Sequence, residues 1–368
     1  MMDFPQEVLS AQKVIFKPGA LNEFANEVRE FGSSGMIVHG RSFEKNGLKK
    51  KIENDLSFFG KVDFYCRGGG EPSLDEVTEV IGCARLIGAE WIAGIGGGSV
   101  LDLAKAAAGL FHTKEAPLFY QEGGKLEKEG IPFVAVPTTA GTGSEATINS
   151  VIVNFRNKTK LSIRDKSFLA RKIILDPELL KTLSGSALSY SGMDALVQGY
   201  EAFISKKATW YSDTFALKSI ELISFHLIPA FETRKEEHLS ALLLGSYFAG
   251  VALASARLGV IHGIAHPLGA LYDLPHGLIC SVCFIPSIQL NRDAMGKKYE
   301  LMSQAVQTDF EEKVRELLSR LRITSPFRGK PVIEKEKIIR ETLQSGSTAA
   351  NPKTIVRADV EFLLRQLF

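Results

Sequence analysis

Cysteine is scarce in this chain: Cys66, Cys83, Cys280 and Cys283 are the only four among 368 residues. That is too few for a disulfide framework and points to a reducing compartment, the cytoplasm. Cys280 and Cys283 form a C-x-x-C inside the apolar run LICSVCFIP, but no second pair exists to complete a zinc tetrad. Two small core residues are the plainer reading. Net charge is nearly absent as well, with 44 lysines and arginines against 42 acids. Nothing therefore advertises nucleic acid or another polyanion as a partner, and the short cluster KNGLKKK (45–51) reads as a solvated helix face. No uninterrupted apolar run approaches the ~20 residues that cross a bilayer. The segment MMDFPQEVLS carries an acid early and lacks a positive region followed by an apolar one, so neither a signal peptide nor membrane association is expected. Internal repeats and low-complexity segments are missing too.

What is present is ordinary for a globular protein: 45% hydrophobic and 23% charged residues, ample for a sizeable core. The length suggests two domains. In the first half, short apolar runs alternate with helical patterns. GMIVHG (35–40), KVDFYC (61–66), EWIAGI (90–95), PFVAVP (132–137) and KIILD (172–176) read as buried parallel strands, and 73–87 and 99–110 as helices. Such alternation predicts a doubly wound α/β sheet. From about residue 180 the strand-like runs stop. Helical patterns follow over 188–205, 211–231, 236–256, 294–308 and 310–321, and NPKTIVRADVEFLLRQLF reads as a loop and a final helix. The expected division is an α/β domain over 1–180 and an all-α domain over 181–368, with the site in a cleft between them.

WIAGIGGGSVLDLAKAAAGL reads as strand, glycine turn and helix. Gly96, Gly97 and Gly98 let backbone approach a ligand closely, and Ser99 opens a helix whose free N–H groups favour an anion. Ser99 and Asp102 also fit a capping box, which is the purely structural alternative. As a dinucleotide fingerprint the match is incomplete, because Ser99 stands where the third glycine belongs. PFVAVPTTAGTGSEAT repeats the logic with Thr138, Thr139, Thr142 and Thr147 as hydroxyl donors. Two such loops at successive strand ends favour a phosphate- and ribose-binding crevice. Further on, GMDALVQGYEAF (192–203) sets Asp194 and Gln198 four residues apart on one helix face, and HGIAHPLGALYDLPH (262–276) holds three histidines. Spacing alone offers His262 and His266 as a ligand pair.

GGGSVLDLAK, PTTAGTGSE, GMDAL with GYEA, HGIAHPLGALYDLPHG and NPK (351–353) occur in this order and similar spacing in the iron-containing (group III) alcohol dehydrogenases, of the dehydroquinate synthase-like superfamily. The chain resembles that family over nearly its whole length. The resemblance implies an amino-terminal α/β domain that binds NAD(P), an all-α carboxy-terminal domain that holds a divalent metal, iron or zinc, and a homodimer. It implies hydride transfer between nicotinamide and a small alcohol, aldehyde or ketone. Carried over residue by residue, Gly96, Gly97, Gly98 and Ser99 would hold the pyrophosphate and Asp102 would orient the cofactor. Thr138, Thr139, Thr142 and Thr147 would line its path, and Lys160 would stand near the nicotinamide ribose. Asp194, His262 and His276 would be metal ligands, leaving His266 as a proton-relay residue.

Two departures from the family pattern stand out. The fourth metal ligand of the family is histidine, and this chain has Gln198, whose carbonyl oxygen would be a weak ligand or a partner for metal-bound water, so that the metal would be labile. Where NAD-preferring relatives place an acid after the first dinucleotide-binding strand, this chain has Gly40, followed by Arg41 and Ser42. Without the carboxylate, and with a fixed cation, the 2′-phosphate of NADP is favoured, NAD remaining an alternative. Glu71, in GGGEPS, is either a modifier of pocket charge or a loop acid in water. The rival readings are a metal-independent reductase similar to the maleylacetate reductases, a dehydroquinate-synthase-like lyase, and a non-catalytic nucleotide-binding protein.

Overall fold

The computed structural model describes Pro5 and residues 7–156 and 159–368, Thr159 by its backbone alone. The chain divides into two compact units. One comprises Leu9–Thr139 and Ser144–Thr182; the other comprises Leu183–Phe368 with Ala140–Gly143 and the described residues before Leu9.

The first unit is built on strands β1 (Lys13–Phe16), β2 (Ser34–Gly40), β3 (Lys61–Arg67), β4 (Trp91–Gly96), β5 (Phe133–Pro137), β6 (Asn149–Asn154), β7 (Thr159–Arg164) and β8 (Lys172–Leu175). Six of them form one parallel sheet in the order β1-β8-β5-β4-β2-β3. The five strands expected from apolar runs are all there. β1 escapes that reading because it lies at the sheet edge, with only one of its four residues less than exposed. The antiparallel pair β6–β7 alternates in burial along β6, as a strand with one solvated face does.

Helices α1 (Phe24–Arg29), α2 (Arg41–Lys45), α3 (Leu48–Asp55), α4 (Leu74–Leu86), α5 (Gly98–Gly109) and α6 (Pro117–Gln121) complete this unit. The chain passes from β2 to β3 on one side, then returns to β4 on the other. The carboxyl ends of β2 and β4 therefore diverge at a topological switch point, where open α/β sheets leave a crevice.

α5 starts one residue earlier than expected, and its capping differs. Gly97 is the N-cap and carries no side-chain cap, while Ser99 lies inside the first turn. Asp102 is not a capping partner: it accepts from the Ser144 hydroxyl at 2.5 Å and from the Val151 amide at 3.1 Å, tying α5 to the segment before β6.

Lys105, one turn on, is fully buried. A buried ammonium is tolerated only when its donors are satisfied, and Lys105 Nζ meets the Ser144 carbonyl (2.5 Å), Ser144 Oγ (2.9 Å), Thr147 Oγ1 (3.0 Å) and the Asn149 carbonyl (2.9 Å). Burial lowers its pKa to about 8.

The second unit is helical: α7 (Gly185–Ile204), α8 (Trp210–Thr233), α9 (Glu236–Ala256), α10 (Val260–Tyr272), α11 (His276–Met295), α12 (Lys297–Val306), α13 (Phe310–Arg320), α14 (Lys335–Gln344) and α15 (Arg357–Leu367). The single helix expected over 294–308 is split, because Gly296 adopts φ 52° between α11 and α12. α10 and α11 are buried on most sides, and a helix buried all round lacks the single apolar face that a sequence pattern shows.

α8 and α9 are long and apolar enough to cross a membrane by length and composition, which a search for uninterrupted apolar runs does not register. Their apolar windows are 44% and 50% buried within the protein, and Leu227 of α8 and Leu242 of α9 are wholly so.

Candidate functional site

The imidazoles come together because α7, α10 and α11 pack closely. Two glycines that directly follow histidines allow close packing, Gly277 of α11 against α7 and Gly263 of α10 against the turn at Thr348. A Cβ on Gly263 would stand 2.0 Å from Thr348 Oγ1, and one on Gly277 would stand 2.3 Å from the Tyr190 carbonyl oxygen. The N-terminus of α10 is pinned by Asn351 of the NPK segment, whose Oδ1 accepts from the Val260 amide at 3.3 Å. Asn351 is itself buried and donates to Asn291 Oδ1 at 2.7 Å and to the Lys353 carbonyl at 2.8 Å.

Asp194 on α7, His262 on α10, and His276 and Cys280 on α11 place one donor atom each within 4.8 Å of all the others. Asp194 Oδ1 lies 3.5 Å from His262 Nε2 and 3.8 Å from His276 Nε2. These separations exceed ordinary hydrogen-bond lengths, and both Asp194 Oδ1 and His262 Nε2 are buried without a hydrogen-bond partner. His266 is outside the set. Its ring stacks on His276 with centroids 5.6 Å apart, and it is partly exposed. The pair that spacing alone suggests, His262 with His266, is thus not the pair that converges.

Gln198, one turn after Asp194, donates from Nε2 to Asp194 Oδ2 at 3.1 Å. It orients the carboxylate through its outer oxygen, while Gln198 Oε1 is buried without a partner. Glu201, two turns from Asp194 on the same helix, was not singled out from sequence. It accepts from His262 Nδ1 at 2.6 Å through Oε2 and from the Ile261 amide at 2.6 Å through Oε1. This carboxylate–histidine contact fixes the tautomer that turns Nε2 toward Asp194, as outer partners of metal-bound histidines do. The signal was there in GYEAF, an acid seven residues after Asp194 on one helix face.

Burial opposes charge on His262, but the Asp194 and Glu201 carboxylates beside it outweigh burial and raise its pKa to about 9, so a cation binding at Nε2 must displace a proton. Burial likewise opposes ionisation of Asp194, yet His276 and His262 hold its pKa below the ordinary value. Burial and the Asp194 charge push the Cys280 thiol well up. An ionised carboxylate, imidazoles and orphaned buried acceptors facing one point are a donor set that fits a divalent cation.

The second constellation sits at the switch point of the sheet. A cavity of about 320 Å³ is lined by Gly40, Arg41, Arg67, Gly68–Gly70 and Gly97–Val100, the residues at the carboxyl ends of β2, β3 and β4 and the start of α5. The uncapped N-terminus of α5 supplies free amide groups there. Arg67 is 4% exposed, and its Nη2 has no hydrogen-bond partner. Two guanidinium groups and a glycine wall fit the phosphates of a dinucleotide, Arg67 being held by Glu76, whose carboxylate lies 3.3 Å from its Nε. Arg67 and the triplet Gly68–Gly70 were not assigned from sequence, although the second GGG run was visible.

Several expected cofactor residues do not line this cavity. Thr138 donates its amide to the Gly96 carbonyl at 2.9 Å, and the Thr139 side chain lies 3.3 Å from where a Gly97 Cβ would be. Both therefore adjoin the glycine loop. Thr142 falls in the Ala140–Gly143 stretch of the helical unit. Thr147 is buried against Lys105 and is not among the cavity's lining residues; the lysine's need for acceptors claims its hydroxyl. Asp102 is engaged by Ser144 and Val151, and Ser42 lies within α2, neither of them lining the cavity. Lys160 pairs with Glu71 at 2.6 Å, so two residues considered separately in the sequence neutralise each other.

The family model described as iron-containing alcohol dehydrogenase matches residues 11–177, and that of the Fe-containing alcohol dehydrogenase family, C-terminal, matches 188–368. The chain belongs to the iron-containing alcohol dehydrogenase family. It is 32% identical to a sulfoacetaldehyde reductase of Bilophila wadsworthia over 82% of this chain and 78% of that protein. It is also 32% identical to an NAD-dependent methanol dehydrogenase of Bacillus methanolicus, over 72% of this chain and 70% of the other. The crystal structure of a 1,3-propanediol oxidoreductase superposes with a TM-score of 0.93 at 27% identity, covering all of both chains. As a member of the iron-containing alcohol dehydrogenase family, this protein is an oxidoreductase of the alcohol dehydrogenase and aldehyde reductase type, moving hydride between a nicotinamide cofactor and an alcohol or carbonyl compound. Its α/β unit and helical unit have the architecture of the family's solved structures.

Proposed function

We propose that this enzyme reduces small aldehydes, or oxidises the matching alcohols, with NADP(H) preferred over NAD(H), and that Asp194, His262 and His276 hold a divalent metal, iron or zinc. The carrying observation is the convergence of Asp194 Oδ1 and His262 Nε2, buried and without hydrogen-bond partners, beside His276. When bound, such a cation supplies Lewis-acid polarisation of the substrate oxygen. Gln198 and Glu201 position the donors, one through Asp194 Oδ2 and the other through His262 Nδ1. His266, stacked on His276 and partly open, moves a proton through its ring nitrogens. Gly96, Gly97, Gly98 and Ser99 cradle phosphate with the α5 amide groups, while Arg41 and Arg67 supply positive charge. Among the described residues no carboxylate lines that cavity, which supports the 2′-phosphate over a bare ribose. A homodimer in the cytoplasm completes the proposal; all four cysteines are free thiols, which agrees with a reducing compartment.

The test is steady-state kinetics with both dinucleotides, alongside metal analysis of freshly prepared protein. Arg41→Ala should raise KM for NADPH about tenfold, the worth of one charge-assisted contact, and leave KM for NADH within about twofold. Equal effects on both would overturn the NADP preference. His266→Ala should lower kcat by roughly 10²-fold or more with metal content unchanged. Undiminished turnover would remove His266 from the mechanism.

A further inference from the structure

The family's fourth histidine is Gln198 in this chain, and the structure sets a sulfur beside the same centre. Cys280 lies one turn after His276 on α11, fully buried, with Sγ 3.5 Å from His276 Nε2. Its Sγ is also within 4.8 Å of the donor atoms of Asp194 and His262. We propose that Cys280 is a thiolate ligand of the metal, giving an Asp194–His262–His276–Cys280 donor set that favours zinc over ferrous iron. The proposal rests on the reading that this site binds a divalent metal.

Three observations carry it. With Zn–N and Zn–O near 2.0–2.2 Å and Zn–S near 2.3 Å, the edges of a coordination tetrahedron are about 3.3–3.6 Å. Three of the six edges are 3.5 Å from Asp194 to His262, 3.8 Å from Asp194 to His276, slightly longer than ideal, and 3.5 Å from His276 to Cys280, and all six are within 4.8 Å. Second, Gln198 orients Asp194 through its amide nitrogen, and the one atom it could offer a cation, the buried Oε1, is an amide oxygen, a far poorer donor than a thiolate. Third, Asp194, His262 and Cys280 are all buried, so a cation among them is satisfied by these side chains and not by bulk water.

On binding, the Cys280 S–H bond breaks, its electron pair goes to the cation and its proton leaves to solvent. A soft thiolate selects zinc more strongly than iron, in the direction that general affinity also runs. Cys283, buried three residues further along α11 and outside the donor set, is a built-in control.

The experiment is zinc-edge X-ray absorption on zinc-loaded protein, with the near-ultraviolet spectrum of the cobalt-loaded form. One sulfur scatterer at about 2.3 Å and a sulfur-to-cobalt charge-transfer band are expected in the unmodified chain and in Cys283→Ser. Both should vanish in Cys280→Ser, with zinc affinity lowered 10-fold or more. Zinc bound with nitrogen and oxygen scatterers alone overturns the thiolate and leaves the metal reading standing. No retention of zinc, cobalt or ferrous iron by the folded, unmodified chain overturns both. The decisive spectrum needs no variant, so a failure of Cys280→Ser to fold does not shelter the proposal.

Discussion

Replacing Asp194 by alanine is expected to abolish retention of a divalent cation and to lower kcat/KM by about 10³-fold, with KM for the dinucleotide within about twofold. The carboxylate places its Oδ1 3.5 Å from His262 Nε2 and 3.8 Å from His276 Nε2. Without its charge the attraction for a cation falls by several kcal/mol; about 4 kcal/mol lost from the transition state is a 10³-fold rate effect. The dinucleotide should be indifferent, because the cavity assigned to its phosphates is built from residues after β2, β3 and β4. Metal analysis, kinetics and a thermal melt of the same preparation check this. A folded Asp194→Ala protein with full metal content and turnover would sink the assignment. A large rise in dinucleotide KM instead would mean that the cofactor reads this carboxylate directly.

The second large effect concerns stability. Glu145 follows the threonine loop, is 1% exposed, and has Oε1 buried without a partner. Burial pushes its carboxyl up to about 7, with Lys105 pulling the other way and Asp102 adding to the rise. A folded pKa above the unfolded value means the native state holds a proton that the unfolded chain has released. Stability is therefore highest below the ordinary carboxyl value of 4.5, falls as pH rises, and levels off above about 7. Asp102, also raised by burial, slopes the same way. Lys105, lowered to about 8, acts in the opposite sense at higher pH. The Glu145 share is on the order of 3 kcal/mol. Glu145→Gln should match the unmodified protein near pH 4.5 and be more stable by roughly that amount at pH 7.5. Denaturant melts across this range decide it; parallel stability curves for the two proteins would show that the carboxyl is not held neutral.

Much of this was legible in the sequence because local pattern and local chemistry agree. The five central strands were readable as apolar runs, and the long helices α7, α8 and α9 as periodic ones, since burial on both faces of a sheet or one side of a helix imposes those periods. The glycine loop before α5 and the roll of imidazoles before α11 were equally plain. Edge strand β1 and the strand β6 were not, because both are largely or half solvated, nor were α10 and α11, which are buried on most sides and so show no single apolar face.

By itself, then, the sequence determined the class of the fold, the order of its parts, and which residue types were available for phosphate and for a cation. Only the tertiary structure decided which of them meet. It joined His262 to His276, fourteen residues away, and not to His266, four away. It turned Thr147 to Lys105 and Lys160 to Glu71, brought Arg67 to the glycine wall, and set Glu201 behind His262 and Cys280 beside His276. The reason is geometric. Spacing along one helix says which side chains share a face, but a coordination site closes only when several helices, held at distances set by residues such as Gly263 and Gly277, aim their donors at one point.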